Sequence, residues 1–260
     1  MSKEATADIN CKKCGKTFET QVYTSINVRQ NPELRQSVLK GTFFKHTCPG
    51  CGNIIDSFYE VLYHDIDKKF MVWLVKPDTK NIIFMQRNSL KISANILSDY
   101  RLNISRYPFQ WIERITTLEL GMDPRVIELY KFGIKEQQKL PLETQNDFLH
   151  FNKYTRNFLG GTKFHWSYIY DNGDVEEFSK SIDAKKYKAY ENLIKSMEPT
   201  LKHSTWYLID WQFPFGLEIH DDELIHLPLT SDFIEIGQKK TKLPGQFLSI
   251  AERMGKGKEV

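Results

Sequence analysis

All four cysteines of the chain lie in two copies of one short pattern, Cys11-Lys-Lys-Cys14-Gly15 and Cys48-Pro-Gly-Cys51-Gly52. A Cys-x-x-Cys-Gly segment turns the backbone tightly and brings two sulfurs to one side of a loop. The glycine that follows can take a left-handed conformation with no Cβ to clash, and amide N–H groups in the turn can point at the sulfurs and spread their charge. Two such turns supply the corners of a tetrahedron, with Cys11 and Cys14 as one half and Cys48 and Cys51 as the other. The pattern predicts one structural zinc ion held by four thiolates, with no coordination position left for water or substrate.

Other uses of the same residues stand beside this one. Iron in a rubredoxin-like site takes the same ligands. Two local disulfides, or redox-active thiols, are the remaining reading of paired Cys-x-x-Cys motifs. The interval between the two halves, residues 15–47, is longer than the usual ribbon gap of about 15–20 residues. It has room for an inserted strand and helix. Lys12, Lys13 and Lys16 flank the first pair and Lys45 precedes the second, which favours thiolate forms.

The chain of 260 residues is 40% hydrophobic and 13% aromatic, which is enough for a packed core and excludes a disordered polypeptide. Its formal charge of +3 falls to about +1 once four thiolates and a divalent ion are counted, so net charge alone makes no case for nucleic acid or membrane. The opening MSKEATADIN is polar and lacks an apolar stretch, so no secretory signal is expected. No apolar run reaches membrane-spanning length. The expected compartment is the cytoplasm, where paired thiols more often hold a metal than a disulfide.

Periodicity and punctuation predict strands over 17–28, 42–47, 54–64 and 69–77, with HDID (64–67) as a turn. Further strands are expected at 81–86, 100–107 and 205–213. A helix is predicted over 31–41, with Asn31 as cap, Pro32 at the first position and Gly41 closing it. Helices are also predicted over 108–121, with Trp111, Ile115 and Leu118 on one face, and over 123–133, capped by Asp123. The polar stretch 134–147 marks a break. Beyond it, 163–179 reads as a hairpin turning at Asn172-Gly173. An amphipathic helix over 181–197 carries Tyr187, Tyr190, Ile194 and Met197 on one side.

The segments CKKCGKTFETQVYTSINVRQNPELRQSVLKGTFFKHTCPGCG and YEVLYHDIDKKFMVWLV, followed by IERITTLELGMDPRVIELYK, resemble the CpXC domain family in several motifs kept in register. That family is bacterial and archaeal, and no biochemical activity is assigned to it. The resemblance implies that Cys11, Cys14, Cys48 and Cys51 are metal ligands, and it supplies no substrate and no reaction. With it, the chain reads as an α+β protein. A zinc-ribbon-bearing antiparallel β domain with late helices is expected over 9–132, and a smaller α+β region over 133–260.

Three other constellations carry chemistry. His64, Asp65 and Asp67 in one turn could bind a cation or act as an acid–base set, the basis of a metal-assisted hydrolase reading. The alternative is a turn whose carboxylates bond to backbone amides. EIHDDELIH (218–226) offers His220, Asp221, Asp222, Glu223 and His226 as a second metal site or as a solvated acidic loop. The aromatic runs 164–170 and 206–215, near Lys153, Arg156 and Lys163, could stack bases or form cross-strand core pairs. No glycine-rich phosphate loop and no serine nucleophile elbow is present in the sequence. The favoured function is a binding or adaptor module for a protein or nucleic-acid partner. The hydrolase and a thiol redox sensor are the alternatives.

Overall fold

The computed structural model describes residues 2–75, 99–138, 148–156, 158, 161–170, 172, 174–197, 207–208, 217–220, 223–226 and 241–242. The strand expected at 81–86, residues 139–147 of the polar break and most of the strand expected at 205–213 lie outside the described residues. The chain forms two compact units, Met1–Leu120 with Trp206–Leu208, and Gly121–Thr205 with Ile209–Val260.

The first unit is built on a mixed six-stranded sheet. In chain order its strands are β1 (Lys3–Asn10), β2 (Thr17–Asn27), β5 (Val61–Asp65), β6 (Phe70–Leu74), β7 (Arg101–Ser105) and β11 (Tyr207–Leu208), and they lie side by side in that order. β1–β2 and β5–β6 are antiparallel hairpins, whereas β2–β5, β6–β7 and β7–β11 are parallel. The parallel pairs follow from connectivity, because a long excursion separates β2 from β5 and another separates β6 from β7. The first excursion holds α1 (Pro32–Leu39) and a small hairpin of β3 (Lys45–Thr47) and β4 (Ile54–Asp56). The α+β class is as the sequence implies.

Two predicted strands are shorter than their apolar runs. In 42–47 only 45–47 is strand; Phe43 and Phe44 precede it, both buried, with their rings packed edge-on at 4.9 Å between centroids. The run 54–64 breaks at 57–60, where the chain leaves β4 in one sheet for β5 in another. Helix α1 begins at Pro32 as expected, but Asn31 provides no side-chain cap; its amide donates to Glu33 Oε1 at 2.7 Å. Gly41, at φ +67°, follows the helix in the left-handed region.

The core lies on one face of this sheet. Val61, Tyr63 and Asp65 of β5 alternate inward, across from Leu74, Val72 and Phe70 of β6. Helix α2 (Pro108–Glu119) packs over β6 and β7 with Trp111, Ile115 and Leu118 fully buried. The Trp111 indole touches the rings of Phe43, Phe44 and Tyr63, and its Nε1–H donates to Val72 O at 3.0 Å, so the large ring is buried with its polar atom satisfied.

At the last residue of α2, Glu119 gathers three donors. Arg35 of α1 grips it with Nε and Nη2 at 2.7 and 2.8 Å, Tyr63 Oη donates at 2.7 Å, and Lys68 Nζ completes the set. Burial pushes the Glu119 carboxyl up, and the hydrogen bonds from Arg35, Lys68 and Tyr63 outweigh it and bring the pKa down to about 2. Sequence reading gave no sign of this cluster, since its members are separated along the chain.

In the second unit, α3 (Pro124–Gln138) and α4 (Ala184–Met197) pack on each other beside an antiparallel sheet of order β10-β9-β8. The strands are β8 (Phe148–Arg156), β9 (Thr162–Ile169) and β10 (Val175–Ser181). The expected hairpin is β9–β10. β8 carries no clear alternation in the sequence, because a bulge between Phe151 and Lys153 interrupts its period. Asp123 caps α3 through the Arg125 amide at 2.9 Å, and Asp183 caps α4 through the Lys185 amide at 2.8 Å. Tyr130 of α3 meets Phe164, Tyr187 and Tyr190 edge-on or tilted, and Phe151, Phe164 and Trp166 form a buried ring cluster. A further antiparallel sheet joins β12 (Leu217–His220), β13 (Glu223–His226) and β14 (Thr241–Lys242). No helix among the described residues is long and apolar enough to cross a membrane.

Because the Glu119 pKa is depressed in the folded protein, its contribution is present in full above pH ~4.5 and is lost as pH falls toward 2. That difference corresponds to on the order of 3 kcal/mol. Glu119→Gln is expected to lower stability by about 2–3 kcal/mol at pH 7. The gap to the wild type should narrow below pH ~4.5. Urea denaturation across that range measures it, and a gap independent of pH would mean that the carboxylate charge is not the source.

Candidate metal centre

Each Cys-x-x-Cys-Gly segment is the tip of an antiparallel hairpin. The β1–β2 ladder ends at Asn10↔Thr17, leaving 11–16 as its loop, and the β3–β4 ladder ends at Thr47↔Ile54, leaving 48–53. The two loops repeat one hydrogen-bond pattern. Cys11 N donates to Lys16 O at 2.9 Å and Gly15 N to Cys11 O at 2.8 Å; Cys48 N donates to Asn53 O at 2.8 Å and Gly52 N to Cys48 O at 2.9 Å. Gly15 at φ +74° and Gly52 at φ +69° occupy the left-handed region this turn requires, as the sequence implies.

The hairpin tips meet through their sulfurs. All four Sγ atoms lie within 4.8 Å of one another, with Cys11–Cys51 at 3.7 Å and Cys14–Cys48 at 3.6 Å. A tetrahedral ion with metal–sulfur bonds of about 2.3 Å has sulfur–sulfur edges of about 3.8 Å. These two of the four inter-loop edges match such a centre, and the four cysteines form a set that could hold a metal ion. The sulfur donors suit zinc and iron alike.

The surroundings are unequal. Cys11 and Cys48 are buried, Cys51 is partly covered and Cys14 is exposed. Gly50 packs against the centre, where a Cβ would lie 2.9 Å from Lys16 Cδ, 3.6 Å from Cys14 Sγ and 3.7 Å from Cys48 Sγ. Its N–H points at Cys48 Sγ from 3.4 Å. The Pro-Gly pair inside the second knuckle was the available sign of this close approach. Burial pushes the Cys48 thiol up, but the amides of Gly50 and Cys51 and the Cys14 and Cys11 thiols bring it down to about 6. Cys14 moves the other way, to about 11. The Lys16 amide lowers it, and contact with Cys51, burial, Cys48 and Cys11 raise it. Four thiols this close favour a first thiolate and resist further ones, and a divalent cation supplies the positive charge that would let all four ionise.

The turn after β5 is tied into the fold. His64 Nε2 lies 3.2 Å from Tyr100 Oη, on the strand face opposite to Asp65. Asp65 is 4% exposed, and its Oδ1 accepts from the amides of Asp67 and Lys68 at 3.0 and 2.9 Å. Asp67 is exposed and pairs with Arg29. Among the described residues, the one gathering of three or more His, Cys, Asp or Glu ligand atoms is the cysteine set. Of the stretch 218–226, residues 218–220 lie in β12 and 223–226 in β13, with His220 paired to Glu223 and His226 to Leu217, and Asp221 and Asp222 lie outside the described residues. Phe164, Trp166 and Tyr168 are buried in their own unit, where the rings pack as core and are not free to stack on bases.

No curated protein and no solved structure matches the chain. A family model described as CpXC protein matches residues 9–131. The matched segment contains both knuckles, α1, α2 and the strands from β2 to β7. The match spans just under half of the chain, and the matched segment carries all four clustered cysteines as two paired Cys-x-x-Cys motifs.

Proposed function

We propose that the CpXC region is a binding module stapled by one structural zinc ion, and that residues 133–260 form a second region attached to it. The observation that carries this reading is the convergence of four sulfurs from two hairpin tips, with inter-loop edges of 3.6 and 3.7 Å. A four-thiolate ion has no open position, so its role is to hold the hairpins together and not to activate water or substrate. The same chemistry suits a reducing compartment such as the cytoplasm.

A surface beside the staple supports a protein partner over a nucleic acid. Ile54 begins β4 directly after the second knuckle and is 62% exposed, and Phe58 is 61% exposed while resting edge-on against Phe44. Exposed apolar side chains held on a rigid frame favour association with another apolar surface. The hydrolase alternative would draw on His64, Asp65 and Asp67, whose hydrogen bonds to Tyr100, to backbone amides and to Arg29 would have to be broken first.

Elemental analysis of the purified full chain is expected to find one zinc per molecule, and a strong chelator to lower the melting temperature. Cys11→Ser or Cys48→Ser should abolish the stoichiometric metal. A full chain that carries no metal, with melting indifferent to chelator, would overturn the staple; one iron per chain would change only the identity of the ion. For the binding role, Ile54→Asp is expected to leave metal content and melting unchanged while removing at least tenfold of the affinity for a partner captured by the wild type, a difference of about 1.4 kcal/mol. Equal capture by both forms would remove Ile54 from the interface.

A further inference from the structure

We propose that Cys14 is an oxidative modification site, and that a peroxide converts the metal staple into a covalent one by linking Cys14 to Cys48 across the two knuckles. This rests on the metal-centre reading above and adds to it a reaction of the protein's own residues.

The argument begins with the asymmetry of the four sulfurs. A closed site protects its ligands only as well as the protein covers them, and the coverage here is uneven. Cys11 and Cys48 have relative exposures of 0% and 1%, whereas Cys14 stands in the exposed class. Both second cysteines of the motifs are the more open ones, and Cys14 is the most open of the four. Oxidation of cysteine follows thiolate character and access. Metal ligation supplies the first of these to all four sulfurs alike, so access decides which is attacked.

The second element is the position of a resolving sulfur. Cys48 Sγ is 3.6 Å from Cys14 Sγ, and it belongs to the other hairpin. The chemistry balances with a hydroperoxide as oxidant. The Cys14 sulfur takes one oxygen as the O–O bond breaks, and the other oxygen leaves as hydroxide. The Cys48 sulfur then attacks the sulfenic sulfur, the S–S bond forms and the S–O bond breaks, releasing a second oxygen as hydroxide or water. Two electrons pass from the thiolate pair to the peroxide. The ion loses two of its four ligands and is released, while the hairpin tips remain tied.

A linkage between knuckles has a different consequence from one inside a knuckle. Cys11–Cys14 or Cys48–Cys51 closure would leave the β1–β2 and β3–β4 hairpins unconnected at their tips. Cys14–Cys48 closure bridges residues 34 apart in sequence and retains the restraint that the ion supplied.

The test uses the full chain as purified, with metal content measured first. Hydrogen peroxide is added in increments, released zinc is read with a chromogenic chelator, and samples are quenched with an alkylating agent for intact-mass and peptide mapping. A parallel sample contains a sulfenic-acid trap. The expected result is one ion released per disulfide formed, a Cys14–Cys48 cross-linked peptide as the first product, and trap adduct on Cys14. A first linkage of Cys11–Cys14, Cys48–Cys51 or Cys14–Cys51, a trap adduct first on another cysteine, or zinc release without any disulfide would overturn the proposal. Absence of metal before peroxide is added would instead count against the staple itself, and the two failures are read separately.

Discussion

The structure of the N-terminal unit depends on bringing four thiols to one point. The β3–β4 hairpin consists of two three-residue strands, too short to persist in water by their own ladder. It is held at both ends, by the sulfur cluster at its tip and by Phe43, Phe44 and Phe58 at its base. Close packing of thiols is itself unfavourable once more than one ionises. A cation held by the cluster would balance the charge of the ionised thiols and so tie metal binding to the stability of this hairpin.

A second convergence, with no metal chemistry, stands at the other end of the same core. Glu119 collects Arg35, Tyr63 and Lys68, so α1, β5, the turn after it and the end of α2 share one carboxylate. Such a buried charge is stabilising only while all its donors are present. It sets the position of α1 on α2, and α1 lies in the excursion that leads to the second knuckle. The charge cluster and the Trp111 ring contacts thus position the chain that delivers Cys48 and Cys51.

Much of the cysteine centre was legible in the sequence because its signal is local. The spacing of Cys11 and Cys14, of Cys48 and Cys51, and the glycine after each pair encode the turn within a few residues. The buried face of α2 was legible for the same reason, since Trp111, Ile115 and Leu118 recur at helical spacing. What was not legible depends on partners far apart in the chain. β1 is a polar edge strand, KEATADIN, that becomes a strand by pairing with β2, and its alternation carries little hydrophobic contrast. β8 hides its period behind a bulge. Gly50 reveals its role only when Lys16 lies across it, and the parallel order of β2, β5, β6 and β7 depends on crossovers whose direction periodicity does not encode. Asn31 illustrates the limit of a local rule: it precedes the helix as expected, yet its amide is taken by Glu33.

β2 serves two structures at once. Its first residues pair with β1 and lead out of the first knuckle, while Ser25, Ile26 and Asn27 at its far end pair with Leu62, Tyr63 and His64 of β5. Ile26 is fully buried in the core with Val61, Tyr63 and Trp111. A single continuous strand therefore acts as a rigid arm with the sulfur centre at one end and the aromatic core at the other. Any change in the set of the first knuckle is a change of angle on an arm whose pivot lies in the buried core of the unit.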